Sequence, residues 1–443
     1  MTSETPREAF VWIWLPGASE PVVAGRLDEE GGETSFVYGR SYLHREHAIS
    51  LYTPELPLEE RRIRPLPDLS APGCILDARP DSWGQRVIMN RLVGSAAAET
   101  DPADLGLVTL LLESGSDRIG ALDFQSSSED YVARGRVHAS LDELASSAQR
   151  VEEGIPLSPD LDAALLHGTT IGGARPKALI DDGPRRLIAK FSSNTDTFAT
   201  VKGEYLAMDL AARAGLDVAA VELTEAHGRA VLLVERFDRV PDTEQRRGLV
   251  SALTILGLNE LAARWASYAE LAQIVRTSFT SPAATLRELF SRITFNVLVG
   301  NTDDHARNHA AFWDGRMLTL TPAYDICPQL RNTGRATQSM IIGDERDPFK
   351  ESNVAGCVER AHLYQLTQAE ARAIVEHQID VIESGWSDAC ERAELSQVER
   401  GYFWKRQFLN DYALQDWPRA AAPGAYPPSS PSSASEGADS RRA

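Results

Sequence analysis

The sequence predicts an α+β protein in which a mixed α/β N-terminal part is followed by a mainly helical C-terminal lobe. In the first 150 residues, short runs of β-branched and aromatic residues are bounded by Gly and Pro, a pattern typical of strands and turns. Beyond residue 250, apolar residues recur at three- and four-residue spacing, which indicates helices that face a core. The content of 43% apolar and 25% charged residues is that of a globular protein.

Residues 1–150 are predicted to form an N-terminal α/β subdomain. Strands are expected at residues 10–15, 34–38 and 48–52, because each is an apolar or β-branched run that ends at a turn. A proline-rich connection then leads to a helix near residues 85–92. Nothing in this third of the chain indicates catalysis.

Residues 151–250 are predicted to form a smaller lobe built on a hairpin. The predicted elements are strands at 178–180 and 187–191, a helix at 202–214 and a buried strand at 230–237. The hairpin follows a loop of small residues and contains an Asp-Asp-Gly-Pro turn. Gly215 is placed to cap the end of the helix.

Residues 251–417 are predicted to form a helical lobe. Helices are expected at 258–264, 267–278, 284–299, 367–385 and 397–412. Between the third and fourth of these, strands at 311–313 and 317–321 flank an Asp-Gly turn and predict a tight hairpin. The remaining residues, 418–443, are rich in Pro, Ser and Ala and are predicted to be disordered.

Charge and cysteine content exclude several classes of protein. The net charge of −19 argues against unaided binding to nucleic acid or to an anionic membrane. The four cysteines are far apart and lack the spacing of a zinc site, which is typical of thiols in a reducing cytosol. The N-terminus lacks a signal-peptide pattern, and no apolar run is long enough to span a membrane. We therefore expect a cytoplasmic protein.

The most informative residues are Asp303 and Asn308, which frame an Asp-x-x-x-x-Asn loop, and Asp325, which follows the predicted hairpin. Phosphoryl transfer needs a carboxylate near the attacking hydroxyl and hard oxygen ligands for Mg²⁺. Asp303 is predicted to orient or accept the hydroxyl proton, while Asn308 and Asp325 would bind Mg²⁺. Arg307 would suit a phosphate contact. The alternative is that the aspartates only cap helices and turns.

The upstream lobe offers a place for ATP. Lys190 ends a predicted strand, and Glu204 lies fourteen residues later, near the start of a helix, where it could pair with the lysine. Alternatively, Lys190 is a surface lysine and Glu204 a first-turn acid favoured by the helix dipole. Backbone groups of Glu235 and Phe237 are candidates for binding adenine. The loop before the hairpin supplies further candidate ATP contacts at Gly172, Gly173, Ala174 and Lys177, although a glycine pair is often only a turn.

Taken together, these segments resemble the HipA family of serine/threonine kinase toxins. The resemblance rests on residues 170–177, 234–239, 295–308 and 322–325, and it extends to 76–87 and 117–124 in the N-terminal third. It implies a bilobed, protein-kinase-like fold that uses ATP and Mg²⁺ to phosphorylate a protein hydroxyl. It also implies a partner, a small helix-turn-helix antitoxin (HipB-like) through which any DNA contact would be made, and no membrane.

The resemblance implies a regulatory site in the small-residue loop. The family loop usually carries a serine that is autophosphorylated, and Thr170 stands at that position here, with Thr169 as the alternative. The loop also has Arg175 and Pro176 where Gln-Glu-type residues are common, and Arg307 replaces a frequent lysine. Because proline lacks a backbone donor, different amides would have to face the phosphates.

Two other functions fit the sequence less well. One is a catalytically silent module that helps an antitoxin repress transcription, and the other is a small-molecule kinase on the same fold. Some members of the family inactivate aminoacyl-tRNA synthetases, so a translation component is one possible protein substrate. The sequence does not identify it.

Overall fold

The structure is a computed structural model that describes residues 6–93, 105–134, 139–155, 157, 165, 175–193, 196, 198–330 and 334–418. Within these ranges the chain folds into three sheets and a set of helices, so the predicted α+β class is confirmed. No helix in the described ranges has both the length and the apolar character needed to cross a bilayer.

The first sheet has five strands in the order β4-β3-β2-β1-β5, with antiparallel neighbours. Its strands are β1 (Glu8–Ile13), β2 (Val22–Glu30), β3 (Glu33–Tyr38), β4 (Arg62–Ile63) and β5 (Leu122–Gln125). The helices of this part are α1 (Arg40–Leu43), α2 (Gly73–Leu76), α3 (Ser82–Val93), α4 (Leu107–Glu113) and α5 (Leu141–Glu152). Alternate residues of β1, namely Ala9, Val11 and Ile13, are buried, as expected for a strand with one face on the core.

The second sheet has four antiparallel strands in the order β6-β7-β9-β8. They are β6 (Lys177–Asp182), β7 (Arg185–Phe191), β8 (Val221–Ala226) and β9 (Arg229–Glu235). Helix α6 (Thr200–Arg213) lies between β7 and β8 in the chain and buries Leu206, Ala207 and Leu210.

The third sheet is short and lies beside the main helices. Its strands, in spatial order, are β10 (Leu249–Ser251), β11 (Ala310–Trp313) and β12 (Leu318–Leu320). The helices are α7 (Ala252–Ile255), α8 (Tyr268–Ser278), α9 (Pro282–Val299), α10 (Val354–Glu359), α11 (Gln368–Arg392) and α12 (Gln397–Phe403). Most of α9 is buried, so it forms the central helix of this part.

The N-terminal part is attached directly to both other parts. The Trp83 indole donates to the carbonyl of Lys177 at 3.0 Å, and the Trp313 indole donates to the carbonyl of Ser50 at 2.9 Å. Buried tryptophan N–H groups need partners, so these two bonds fix the N-terminal part against β6 and β11.

Most of the predicted elements are confirmed, although their ends differ. The hairpin β6–β7 and the helices α3, α6, α8, α9 and α11 all form where the sequence placed them. Strands β1, β3 and β9 and the hairpin β11–β12 also form. Strand β2 was not predicted, because its Asp- and Glu-rich end lacks a strand pattern.

Three predicted elements are wrong. Residues 48–52 form no strand, since hydroxyls of Tyr42 and Tyr38 accept the N–H groups of Ile49 and Leu51 that a neighbouring strand would use. A helix forms at Ala252–Ile255 instead of 258–264, and positive φ at Gly257 ends it. Helix α12 stops at Phe403 rather than 412. Positive φ at Lys405 and Leu409 turns the chain there.

Gly300 is expected to be required for the turn that follows α9. Its φ of 74° is left-handed, and an added Cβ would lie 2.9 Å from the carbonyl oxygen of Gln407. Gly300→Ala should therefore lower the melting temperature through backbone strain of about 1–2 kcal/mol plus steric overlap.

The matched control is Gly183→Ala in the β6–β7 turn, where φ is 58° but an added Cβ meets nothing within 4 Å. The melting temperature of this variant should be lowered by the backbone strain alone. Equal melting temperatures for the two variants would contradict the role of the Gln407 contact.

Candidate active site

The Asp303–Asn308 loop begins where α9 ends at Gly300. The Asn301 N–H donates to the carbonyl of Asn296, and a short 3₁₀ turn, Ala306–Asn308, closes the loop. Two side chains from the 338–339 segment hold the intervening backbone: Gln338 Nε2 donates to the Asn301 carbonyl at 2.9 Å, and the Ser339 hydroxyl donates to the Thr302 carbonyl at 3.0 Å. The start of the loop is therefore held both by the end of α9 and by the 338–339 segment.

Asp304 anchors this loop to the neighbouring helices. It is buried, and its Oδ2 accepts from the Asn296 amide at 2.7 Å and from the Tyr268 hydroxyl. Its Oδ1 lies 2.8 Å from His309 Nε2. Buried carboxylates require such partners. Asp304 therefore has a positioning role that the sequence analysis did not identify.

The preceding residue, Asp303, is exposed. Partial desolvation by the surrounding protein raises the pKa of its carboxyl, and the charges of Asp325 and Asp304 add to this against the opposing effect of His305. Asp303 is therefore within electrostatic range of His305 and Asp325. A carboxylate with a raised pKa is better suited to accept a proton.

Lys190, Glu204 and Asp325 meet in one cluster. The Lys190 Nζ lies 2.6 Å from Glu204 Oε1 on α6 and 2.5 Å from Asp325 Oδ1, a residue 135 positions away in the chain. Burial alone would lower the pKa of Lys190, but the charges of Asp325 and Glu204 raise it, so the lysine is held as an ammonium. The cluster thus joins the second sheet to the segment after β12.

Asp325 has an unusual backbone conformation. Its φ of 59° is left-handed, which Asp adopts more readily than most residues. Burial raises the pKa of its carboxyl, but the charges of Lys190 and Lys177 outweigh this effect and lower the pKa to about 2. Two residues before it, Ala323 forms a parallel bridge with Val218, which lies three residues before β8. The carboxylate is therefore fixed and ionised.

Asn308, the other predicted metal ligand, makes a side-chain hydrogen bond through its amide nitrogen. Its Nδ2 donates to the Asp303 carbonyl at 3.3 Å, which leaves the amide oxygen free to face elsewhere. Among the described residues, no group of three or more His, Cys, Asp or Glu side chains could hold a metal by itself. An amide and one ionised carboxylate instead fit Mg²⁺, which commonly takes few protein ligands and completes its shell with phosphate and water.

The two residues predicted to bind adenine lie at the end of β9. The Glu235 N–H already donates to the Ala220 carbonyl at 2.9 Å, so this donor is not available to a ligand. Phe237 packs its ring 5.9 Å from that of Phe312 and 5.6 Å from that of Tyr324. These rings give the end of β9 an aromatic lining.

Arg307 and Lys177, the two cations predicted to contact phosphate, are both paired with carboxylates. Arg307 is paired with Asp77 at 3.2 Å and with Glu260 at 2.5 Å, because both carboxylates lie beside the loop. Lys177 is only 1% exposed and forms an ion pair with Asp81 at 2.7 Å. Both cations thus join the N-terminal part to the rest of the chain. Gly172, Gly173, Ala174, Thr170 and Thr169 lie outside the described residues.

Asp77 was also missed by the sequence analysis. Besides Arg307, its carboxylate accepts from the Ser251 N–H at 2.8 Å and from the Ser251 hydroxyl at 2.7 Å. Only long-range contacts reveal this role, because nothing in the local sequence around residue 77 connects it to residue 307.

The chain matches two HipA sequence families. The HipA-like C-terminal domain matches residues 169–386, and the HipA N-terminal domain matches residues 16–125. The candidate kinase Y4mE of Sinorhizobium fredii is 26% identical over 397 residues, which cover 82% of this chain and 90% of that protein. The serine/threonine-protein kinase toxin HipA of Shewanella oneidensis is 26% identical over 167 residues, covering 33% of this chain and 39% of the toxin.

A solved structure supports the same assignment at the level of the fold. A chain in the Shewanella oneidensis MR-1 complex of HipA, HipB and operator DNA superposes with a TM-score of 0.66 at 18% identity, covering 92% of this chain and 97% of that one. The predicted bilobed, kinase-like α+β fold is thereby confirmed. By both of its family matches, this chain belongs to the HipA family.

Proposed function

We propose that this chain is an ATP- and Mg²⁺-dependent protein serine/threonine kinase that acts as the toxin of a toxin–antitoxin pair. The observation that carries the proposal is the cluster in which the Lys190 ammonium contacts both Glu204 and Asp325, next to the exposed carboxylate of Asp303. The nucleotide would lie between residues 151–250 and 251–417, and the enzyme would act in the cytoplasm.

The residues have separable roles in this mechanism. Asp303 orients the attacking hydroxyl and accepts its proton, which its raised pKa favours. Asn308 and Asp325 would hold Mg²⁺, which neutralises phosphate charge when bound. Lys190, kept in place by Glu204, would hold the phosphates through its ammonium group. The aromatic rings around Phe237 would contact the adenine.

The proposed partners follow from charge and from the relatives. A net charge of −19 disfavours direct DNA contact, so a small helix-turn-helix antitoxin, similar to the HipB of the matched complex, would carry that contact. The substrate would be a cellular protein, for example a translation component such as an aminoacyl-tRNA synthetase. Thr170, or alternatively Thr169, would be autophosphorylated and reduce activity.

Asp303→Asn and Asp325→Asn are each expected to abolish phosphoryl transfer, because one removes the proton acceptor and the other a metal ligand. The measurement is phosphate incorporation from ATP and Mg²⁺ into a cell extract and into the chain itself, followed by mapping of the modified residues. Mapping also reports on Thr170. Asp130→Asn, at an exposed site, is the matched control.

A cooperative melting transition above the assay temperature would show that both variants fold. Labelling at the wild-type level by either folded variant would reject the assignment. Absence of any ATP turnover by the wild-type chain would favour the catalytically silent co-repressor instead.

The pH dependence of the phosphorylation rate should report the ionisation of the Asp303 carboxyl. Because its pKa is raised, its ionised form is present above that pKa and is lost as the pH falls through it. The phosphorylation rate should therefore decline on the acid side at a pH above about 3.9, the ordinary pKa of an aspartate. The measurement is kcat/KM against pH at saturating Mg²⁺, and a rate that stays constant across this acid range would contradict the role of Asp303 as the base.

Asp77→Asn is expected to slow phosphoryl transfer while leaving the KM for ATP nearly unchanged. The neutral amide weakens the contact with Arg307, and the loop that carries Asp303 loses one of its supports. Such a positioning defect typically costs about tenfold or more in kcat. Asp130→Asn again provides the control. A rise in KM for ATP with unchanged kcat would indicate that Asp77 acts on nucleotide binding instead.

A further inference from the structure

A cavity of about 550 Å³ lies between the first and third sheets. Its walls include Ile13 and Trp14 at the end of β1, Leu122 on β5, and Trp313 on β11. Lys190, Asp303 and Asp325 are absent from its walls. The volume is within the range of roughly 300–1,000 Å³ that is typical of small-molecule sites.

Arg246 is a buried charged residue in the wall of this cavity. It is only 7% exposed, its guanidinium carbon lies 3.5 Å from the centre of the Trp14 ring, and one nitrogen donates to the Ser116 carbonyl at 2.9 Å. It forms no ion pair with any carboxylate of the described residues. Stacking on a ring leaves the in-plane N–H donors of a guanidinium available to an anion. A buried cation without a counter-ion is costly.

The other charged groups of the walls do not compensate Arg246. Arg247 lies over the Phe312 ring at 5.1 Å and likewise has no ion pair within the described part of the chain. The carboxylate of Asp77 is already used by Ser251 and Arg307. That of Asp314 accepts two N–H groups of its own turn. Neither carboxylate of the walls therefore pairs with Arg246 or Arg247.

The charged groups next to Arg246 do not supply a surplus of negative charge. Behind it lies a buried ionic network in which arginines outnumber aspartates. Its members are Arg118, Arg134, Arg236, Arg239, Asp117, Asp123 and Asp238. Burial and the charge of Arg239 lower the pKa of Arg246 to about 10. An anion in the cavity would offset both the burial of the Arg246 charge and its repulsion by Arg239.

We propose that this cavity binds a small carboxylate with an aromatic or branched aliphatic body. The carboxylate would accept hydrogen bonds from Arg246, whose planar fork matches its geometry, while Arg247 adds long-range attraction. The apolar body would lie against Ile13, Ile49 and Leu122. The proposal is independent of phosphoryl transfer.

The test uses the full chain and two probes of the same shape, hydrocinnamate and the uncharged hydrocinnamyl alcohol. Trp14 and Trp313 line the cavity, so quenching of tryptophan fluorescence reports binding, and calorimetry gives the dissociation constant. Hydrocinnamate is expected to bind roughly tenfold more tightly than the alcohol, because hydrogen bonds to a charged group contribute most of the difference. Equal affinities, or no binding of hydrocinnamate, would overturn the proposal.

Two variants locate the site. Arg246→Met should abolish the preference for the anion, whereas Leu122→Trp should fill the cavity and exclude both probes while Arg246 stays intact. Arg185→Met is the matched charge control, since Arg185 lies on the exposed β6–β7 hairpin and should leave binding unchanged. Hydrocinnamate binding at wild-type strength by folded Leu122→Trp would overturn the proposal even if Arg246→Met did not fold.

Discussion

The contact between Lys190 and Asp325 is the interaction on which the proposed site depends. It joins two segments that are 135 residues apart, one in the second sheet and one after the third. Glu204 holds the ammonium from the opposite side at 2.6 Å. Because isolated buried charges are costly, neither acid nor the lysine would be stable there without the others. The fold therefore assembles a charged cleft only when both lobes are in place.

The Asp303–Asn308 loop is held in place by residues that have no role in the proposed reaction. Asp304 fixes it to α8 and α9 through Tyr268 and Asn296. Arg307 fixes its other end to Asp77 in the N-terminal part. One aspartate of the Asp303-Asp304 pair is thus buried and structural while its neighbour remains exposed. Adjacent identical residues have different tasks because successive side chains in this loop point to opposite sides.

The sequence predicted what depends on local pattern. The hairpin β6–β7 and the helix α9 follow from turn residues and apolar spacing, and both formed as expected. Residues 48–52 did not form a strand, because the hydroxyls of Tyr42 and Tyr38, 7 and 13 residues earlier, accept two of their backbone N–H groups. The engagement of Arg307 and Lys177 by Asp77 and Asp81 could not be predicted either. Those partners lie 230 and 96 residues away, and local spacing contains no information about them.

The N-terminal part is structurally inseparable from the end of β9. Arg236 is fully buried and donates to the carbonyl of Arg118 at 2.7 Å, while Asp238 accepts from the Gly120 N–H at 2.7 Å. Without the N-terminal part, this arginine and this aspartate would lose partners at the position where the proposed adenine site begins. Burial of an unsatisfied charged group is strongly destabilising. The geometry of the proposed nucleotide site therefore depends on the N-terminal part as well as on the two kinase-like lobes.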